Sequence, residues 1–154
     1  MSGSDSPGVF VPPPFLFAVA VAAGVLVDGN ALDWTHITHP SQLAGLAVAL
    51  TGFALIGLSL GLFRRFRTRP EPWQPSSALV TSGLYRFSRN PMYLGMALVS
   101  GGIALYFESI IAGVLIAIVI AIMDRFVIAR EERYLARRFG AEYDAYRLRV
   151  RRWL

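Results

Sequence analysis

Apolar residues run through this chain in long stretches, and the breaks between the stretches predict its elements. Ser6 to Val27 carry no acidic or basic side chain, with Pro12, Pro13 and Pro14 delaying a first helix until about Phe15. Gln42 to Phe63 is a run of 22 residues without a charge, Asn90 to Phe107 one of 18, and Ser109 to Met123 one of 15. A helix that crosses the apolar core of a bilayer needs about 20 such residues. The second run meets this outright. The third and fourth meet it when the fourth continues through Phe126, Val127 and Ile128, with Asp124 and Arg125 snorkelling to the interface. Glu108 stands between these two runs, so a tight antiparallel helical hairpin is expected there. No basic residue precedes the first run, which reads better as a retained helix than as a secretory signal. The pattern predicts an all-α, polytopic membrane protein with about four transmembrane helices.

Composition agrees. Hydrophobic residues make up 55% of the 154 and charged residues 16%, against about 25% charged in an average soluble domain. There is no cysteine, which excludes disulfides, thiolate metal sites and a cysteine nucleophile. All 15 basic residues are arginine: six lie between Arg64 and Arg89 and nine between Arg125 and Arg152. The link from Asp28 to Ser41 has two aspartates and no arginine. By the positive-inside rule both termini and the Arg64–Arg89 loop are cytoplasmic. The net charge of +5 then reads as topology and contact with anionic membrane lipid, and no nucleic-acid partner is expected. Gly57 and Gly61, with Gly45, Ala49 and Gly52 nearby, are the small residues expected where helices pack closely in lipid. The first ten residues are polar and rich in Gly, Ser and Pro, so a frayed, flexible terminus is expected over 1–10. His36 and His39 near Asp33 are a weak metal signal, and no metal site is assigned.

Two segments on the arginine-rich side carry more than membrane packing requires. Pro70 to Tyr93 is stiffened by three prolines, turns at Ser82-Gly83 and gathers Trp73, Tyr85, Phe87 and Tyr93. Asn90-Pro91 fits a helix start, with Asn as N-cap and Pro as the first helical residue. Such a start also presents free N–H groups to an anion. In the second segment, the helix after Met123, Arg125, Arg130, Arg133 and Arg137 span about 140° of a solvated face. Glu131 and Glu132 fall on the opposite, apolar side with Ile128, Leu135 and Phe139. Neither glutamate has an arginine three or four residues away, so local ion pairs do not account for them. Their partner is either an arginine of the other loop, such as Arg86 or Arg89, or a cationic ligand. Gly140 stops this helix, and Tyr143, Tyr146, Val150 and Trp153 suggest an amphipathic tail at the interface.

The stretch Leu79-Val80-Thr81-Ser82-Gly83-Leu84-Tyr85-Arg86-Phe87-Ser88-Arg89-Asn90-Pro91-Met92-Tyr93-Leu94-Gly95, followed by Glu131-Glu132, Phe139-Gly140, Tyr143 and Tyr146, resembles the integral-membrane methyltransferases. That superfamily includes isoprenylcysteine carboxyl methyltransferases and phospholipid N-methyltransferases. The resemblance covers roughly residues 70–154, so the expected organisation is a terminus over 1–10, two N-terminal helices over 11–63, and a methyltransferase-like catalytic region with a cytoplasmic tail over 64–154. It implies S-adenosylmethionine as methyl donor, with S-adenosylhomocysteine as product. The donor-binding positions fall on Ser77, Ala78, Leu79, Val80, Tyr85, Asn90, Pro91, Met92, Tyr93 and Glu131. A carboxylate suits the donor's ammonium group, tyrosines its adenine and sulfonium, and helix-start N–H groups its carboxylate.

Two departures bear on the acceptor. Many eukaryotic relatives have His where this chain has Asn90, which cannot act as a base near neutral pH. Carboxyl-methylating relatives place a substrate-binding arginine where Val127 stands, leaving Arg125 and Arg130 on either side as substrate candidates. Glu132 is the nearest candidate base for an amine acceptor. The expected function is transfer of a methyl group to a lipophilic acceptor, isoprenylcysteine-carboxyl-methyltransferase-like, with a phospholipid or other amine or thiol acceptor as alternative. The acceptor is expected to enter from the bilayer near Met96, Leu98 and Phe126, and the enzyme to reside in a bacterial inner membrane. A non-enzymatic membrane scaffold, which leaves Glu131 and Glu132 unexplained, and a nicotinamide-dependent reductase of the same fold are the competing readings.

Overall fold

A computed structural model describes residues 12–29, 40–71 and 73–154. The expectations for residues 1–10 and for His36 and His39 lie outside the described residues. Helix α1 (Pro13–Asp28) opens inside the proline run rather than after it, because a proline in the first turn forfeits no helical hydrogen bond. It ends at Gly29, whose φ of +72° suits glycine. Helix α2 (Pro40–Arg65) ends in Arg64-Arg65, and α3 (Pro91–Tyr106) follows the motif loop. Helix α4 (Ile110–Ile122) continues through a π-helical turn, Met123–Ile128, into α5 (Ala129–Phe139). Gly140, at φ +50°, then turns the chain into α6 (Ala141–Arg149). There is no strand among the described residues, so the fold is all-α as expected.

Two helices, Pro40–Arg65 and the continuous Ile110–Phe139, are long and apolar enough to cross a membrane. Helices α1 and α3 are apolar but have 16 residues each, about 24 Å of helix against a hydrocarbon core of about 30 Å. Of the four expected spans, two are thus long enough to cross and two are shorter apolar helices. Helix α3 is short because Pro91 fixes its start and a tight turn fixes its end, where Glu108 adopts φ +51°. That turn makes the expected α3–α4 hairpin. Exposed Ile110, Val114, Ile118 and Ile122 recur at every fourth position of α4, and Leu43, Leu46, Leu50 and Phe53 line the outside of α2. Such stripes suit contact with lipid.

Helix α3 lies at the centre, with α2 on one flank and α1 and α4 on the other. The α2–α3 contact is backbone against backbone. A Cβ added at Gly52 would stand 2.6 Å from the carbonyl oxygen of Gly95, and one at Gly102 would stand 2.5 Å from that of Gly45. Gly57 and Gly61, expected in this packing, meet nothing within 4 Å. At 100° per residue they lie about 140° and 180° around the helix from Gly52, on the face turned away from α3. The packing stripe is Gly45, Ala49 and Gly52.

Acidic residues tie the helices at one end of the bundle. The Asp28 carboxylate accepts from the Ser109 hydroxyl at 2.5 Å and the Ile111 N–H at 3.2 Å. Ser109 in turn caps α4 by accepting from the Ala112 N–H at 3.0 Å. The arginine-rich loops gather at the other end, where the cavity lies.

Candidate functional site

The cavity is framed by a loop that has no regular structure of its own and is pinned from both sides. Thr68, just past α2, is buried, and its Oγ1 accepts from the backbone N–H of Ser77 at 3.1 Å and of Ala78 at 3.4 Å. The Tyr134 hydroxyl of α5 accepts from the Ser76 N–H at 3.0 Å. A 3₁₀ turn, Gly83–Arg86, then buries Tyr85 edge-on against Phe63, with ring centroids 5.7 Å apart. Gly83 sits there at φ +61°, a conformation that favours glycine. The Tyr146 hydroxyl donates to the Tyr85 carbonyl at 2.7 Å, fixing α6 to this turn.

At the start of α3, Pro91 is the first helical residue as expected, but the Asn90 side chain caps nothing. Its amide instead donates to the Arg152 carbonyl at 2.9 Å. The C-terminal segment has folded back onto the motif loop and competes successfully for that amide. The tail therefore does not lie apart at the interface. Tyr143 and Tyr146 turn inward and are buried, and Trp153 packs against the core while its Nε1 donates to Asp124 at 2.9 Å. Asp124, expected to snorkel outward, is held inward by this bond and by Arg152 at 3.0 Å.

These elements frame an open cavity whose empty space, solvent outside its mouth included, is about 840 Å³. Of the residues expected to bind a donor, Ala78, Leu79, Val80, Tyr85, Asn90, Met92, Tyr93 and Glu131 line it, and so does Glu132. Ser77 does not: its exposed hydroxyl donates to the Arg67 carbonyl at 3.0 Å, away from the cavity. Pro91 is buried and acts through the helix start. Arg125 and Arg130 are exposed and outside the lining, because the cavity faces the opposite side of the helix. Val127 is buried in the core. Phe63, Arg69, Gln74, Arg89, Tyr134, Tyr143 and Tyr146 also line the cavity. The i, i+3 spacing of Tyr134 from Glu131 was a usable signal for the first of α5's contributions. The tail tyrosines belong to the second motif, but their place on the cavity wall depends on the chain folding back and had no local signal.

The two glutamates differ in their partners. Glu132 is clamped by Arg89 at 3.0 Å and by Arg152 at 2.5 Å, so the interloop arginine expected as partner is Arg89. Both Glu132 oxygens are engaged by guanidinium groups, which leaves neither free to face an acceptor's proton and argues against the proton-abstracting role expected of Glu132. Glu131, one residue on the cavity side, accepts from the Tyr93 hydroxyl at 2.6 Å, and no ion pair to it is found among the described residues. It lies beyond Ile128, where the apolar part of the helix ends and Arg130 begins the polar part. Desolvation pushes its carboxyl from the usual range up to about 7, with the Tyr93 hydrogen bond opposing and the Glu132 charge adding to the rise. Burial likewise pushes the Tyr143 phenol up to about 12, and those of Tyr85 and Tyr146 rise for the same reason. The phenols stay neutral across the physiological range. The cavity is an aromatic chamber with an uncompensated carboxylate on its wall, which fits a ligand carrying a cation and a flat ring.

A model of the phospholipid methyltransferase family matches residues 40–142, from the start of α2 into α6. The chain belongs to the phospholipid methyltransferase family. This family lies within the integral-membrane methyltransferase superfamily that the two motifs resemble. It is a family of membrane methyltransferases, and the apolar helices fit that setting. A protein of Haemophilus influenzae described as uncharacterised is 41% identical over 63 residues, which are 41% of this chain and the whole of that protein. No solved structure matches the chain. Tyr143, Tyr146, Arg152 and Trp153 fall outside the segment that the phospholipid methyltransferase model matches.

Proposed function

We propose that this protein binds S-adenosylmethionine in the cavity and transfers its methyl group to a membrane lipid at the cytoplasmic face. The observation that carries this reading is Glu131, a desolvated carboxylate without a counter-cation among the described residues, on the wall of an aromatic cavity. The donor supplies an electrophilic methyl group on a sulfonium. The chain's own residues bind and orient. Glu131, held by Tyr93, takes the ammonium group, and Tyr85, Tyr93, Tyr134 and Tyr143 supply faces for the ring and the sulfonium. Helix α3 begins beside Asn90 and Met92 of the cavity lining, and the N–H groups of such a helix start suit the donor's carboxylate. Transfer of the sulfonium methyl to an amine breaks the sulfur–methyl bond and moves the positive charge to nitrogen, which then releases a proton to solvent at the open mouth, so a chamber that fixes the approach of the acceptor supplies most of what the reaction needs.

The acceptor is a lipid rather than a prenylated carboxylate. A carboxylate acceptor calls for a cation, and the candidates Arg125 and Arg130 lie outside the cavity, while Arg89 of its lining is paired with Glu132 and Arg69 is held by Gln74. Entry is from the bilayer side, past exposed Phe126. By the positive-inside rule, the arginines of the loop and tail support a cytoplasmic position for the cavity. The test is transfer of a labelled methyl group from S-adenosylmethionine to defined lipids in vesicles, beside a farnesylated carboxylate. Label in an amine-bearing phospholipid supports the proposal. Label confined to the farnesylated carboxylate would overturn the acceptor assignment, and no transfer to any lipid would overturn the reading.

A further inference from the structure

Arg152 joins three elements that the motif reading treats separately. Its Nη2 meets Glu132 Oε2 at 2.5 Å and its Nε donates to Glu132 Oε1 at 3.2 Å, a bidentate grip on α5. Its Nη1 pairs with Asp124 of the π-helical turn at 3.0 Å. Its carbonyl oxygen accepts from the Asn90 amide at 2.9 Å and the Ser88 hydroxyl at 3.4 Å, while the adjoining Arg151 carbonyl accepts from the Arg89 N–H at 3.0 Å. Trp153 fastens the chain end to Asp124. One residue near the C-terminus thus holds the motif loop, the glutamate helix and the π-helical turn in register.

We propose that Arg152 is a positioning residue whose grip straps the tail to the elements that form the cavity wall, orders the motif loop and neutralises Glu132, so that Glu131 rather than Glu132 takes up the ligand's cation. The proposal rests on the donor reading for its ligand and stands apart from it for the strap. Two adjacent carboxylates at one wall compete for one cation and raise each other's proton affinity. Arg89 and Arg152 remove Glu132 from that competition. The other groups facing Glu131 are the Tyr93 hydroxyl of α3, which donates to it, and the phenol of Tyr85 in the 3₁₀ turn. Arg69 and Glu71 stand on the loop wall, and Tyr143 and Tyr146 on that of α6. Within this set, Arg152 is the group that joins a cavity carboxylate to the tail.

The test compares wild type, Arg152→Gln, Arg152→Lys and the Arg152→Gln/Glu132→Gln double variant, each in detergent and checked for helical content. Two readouts are taken: amide hydrogen exchange of Ser88–Asn90 without ligand, and S-adenosylhomocysteine binding as a function of pH. In Arg152→Gln the loop amides exchange about tenfold faster, binding at neutral pH weakens about tenfold or more, and the acid limb of the binding profile moves up by about one pH unit. Neutralising Glu132 in the double variant returns that limb to its wild-type position while the loop stays loose, a reversal that a merely structural arginine would not give. If Arg152→Gln does not fold, Arg152→Lys carries the test. Its charge is predicted to hold the acid limb in place while the lost fork speeds loop exchange. Unchanged loop exchange in either folded variant overturns the strap, and a shifted limb that the double variant fails to restore overturns the charge separation. Should wild type not bind the ligand while loop exchange still responds to Arg152, the donor reading fails and the strap survives.

Discussion

Glu131 ionises at about pH 7 in the free protein because its carboxyl is desolvated, and only the ionised form attracts an ammonium group. Below that value the free protein must lose a proton before it binds, so affinity falls with acidification. The ligand's α-ammonium group belongs to a free amino acid and loses its proton only well above this range, so affinity rises to a plateau at mildly alkaline pH. At pH 6 only about a tenth of Glu131 is ionised against about seven-tenths at pH 7.4, so affinity at pH 6 is about eightfold lower than at pH 7.4, and it falls about tenfold for each further unit. Isothermal titration of S-adenosylhomocysteine between pH 5.5 and 9 measures the profile. Methylthioadenosine, which lacks the amino-acid portion, is the control and should bind with a flat profile. An S-adenosylhomocysteine affinity unchanged between pH 6 and pH 7.4 would refute the assignment of Glu131 to the ammonium group.

Tyr93→Phe removes the 2.6 Å hydrogen bond to Glu131, so the acid limb moves to higher pH and affinity at neutral pH drops about tenfold, readable in the same titration. Gly52→Val forces a side chain into the backbone of α3 and lowers stability by about 1–3 kcal/mol, whereas Gly57→Val, which meets nothing within 4 Å, leaves the thermal transition in place. Equal effects at the two positions would contradict the packing described. Arg125→Gln, at an exposed position outside the cavity, leaves donor affinity within about twofold of wild type, and a larger loss would bring that arginine back into the site.

What was legible in the sequence follows from how local each cause is. The apolar runs, the Glu108 hairpin, the Gly140 break and the glutamates on the apolar side of the last long helix depend on near neighbours, and all are present in the fold. Family membership was legible from the two motifs. The fates of Asn90, Gly57 and the tail were not. Asn90 has the residue type of an N-cap, yet a carbonyl 62 positions away outcompetes the helix N–H groups for its side chain. Gly57 and Gly61 have the right mutual spacing but the wrong phase relative to the stripe that meets α3. Tyr143 and Tyr146 have the pattern of an interfacial helix, and only the return of the tail onto the motif loop turns that face inward. Long-range partners decide such cases, and periodicity alone does not carry them.

The most direct measurement is titration of the detergent-purified protein with S-adenosylmethionine beside Glu131→Gln. The substitution keeps the size of the side chain and removes its charge. Losing one partner of a desolvated charge pair costs about 2–5 kcal/mol, so the account predicts that wild type binds and that the variant, with helical content unchanged, binds about thirtyfold more weakly or worse. Wild-type affinity in a folded Glu131→Gln protein would contradict it.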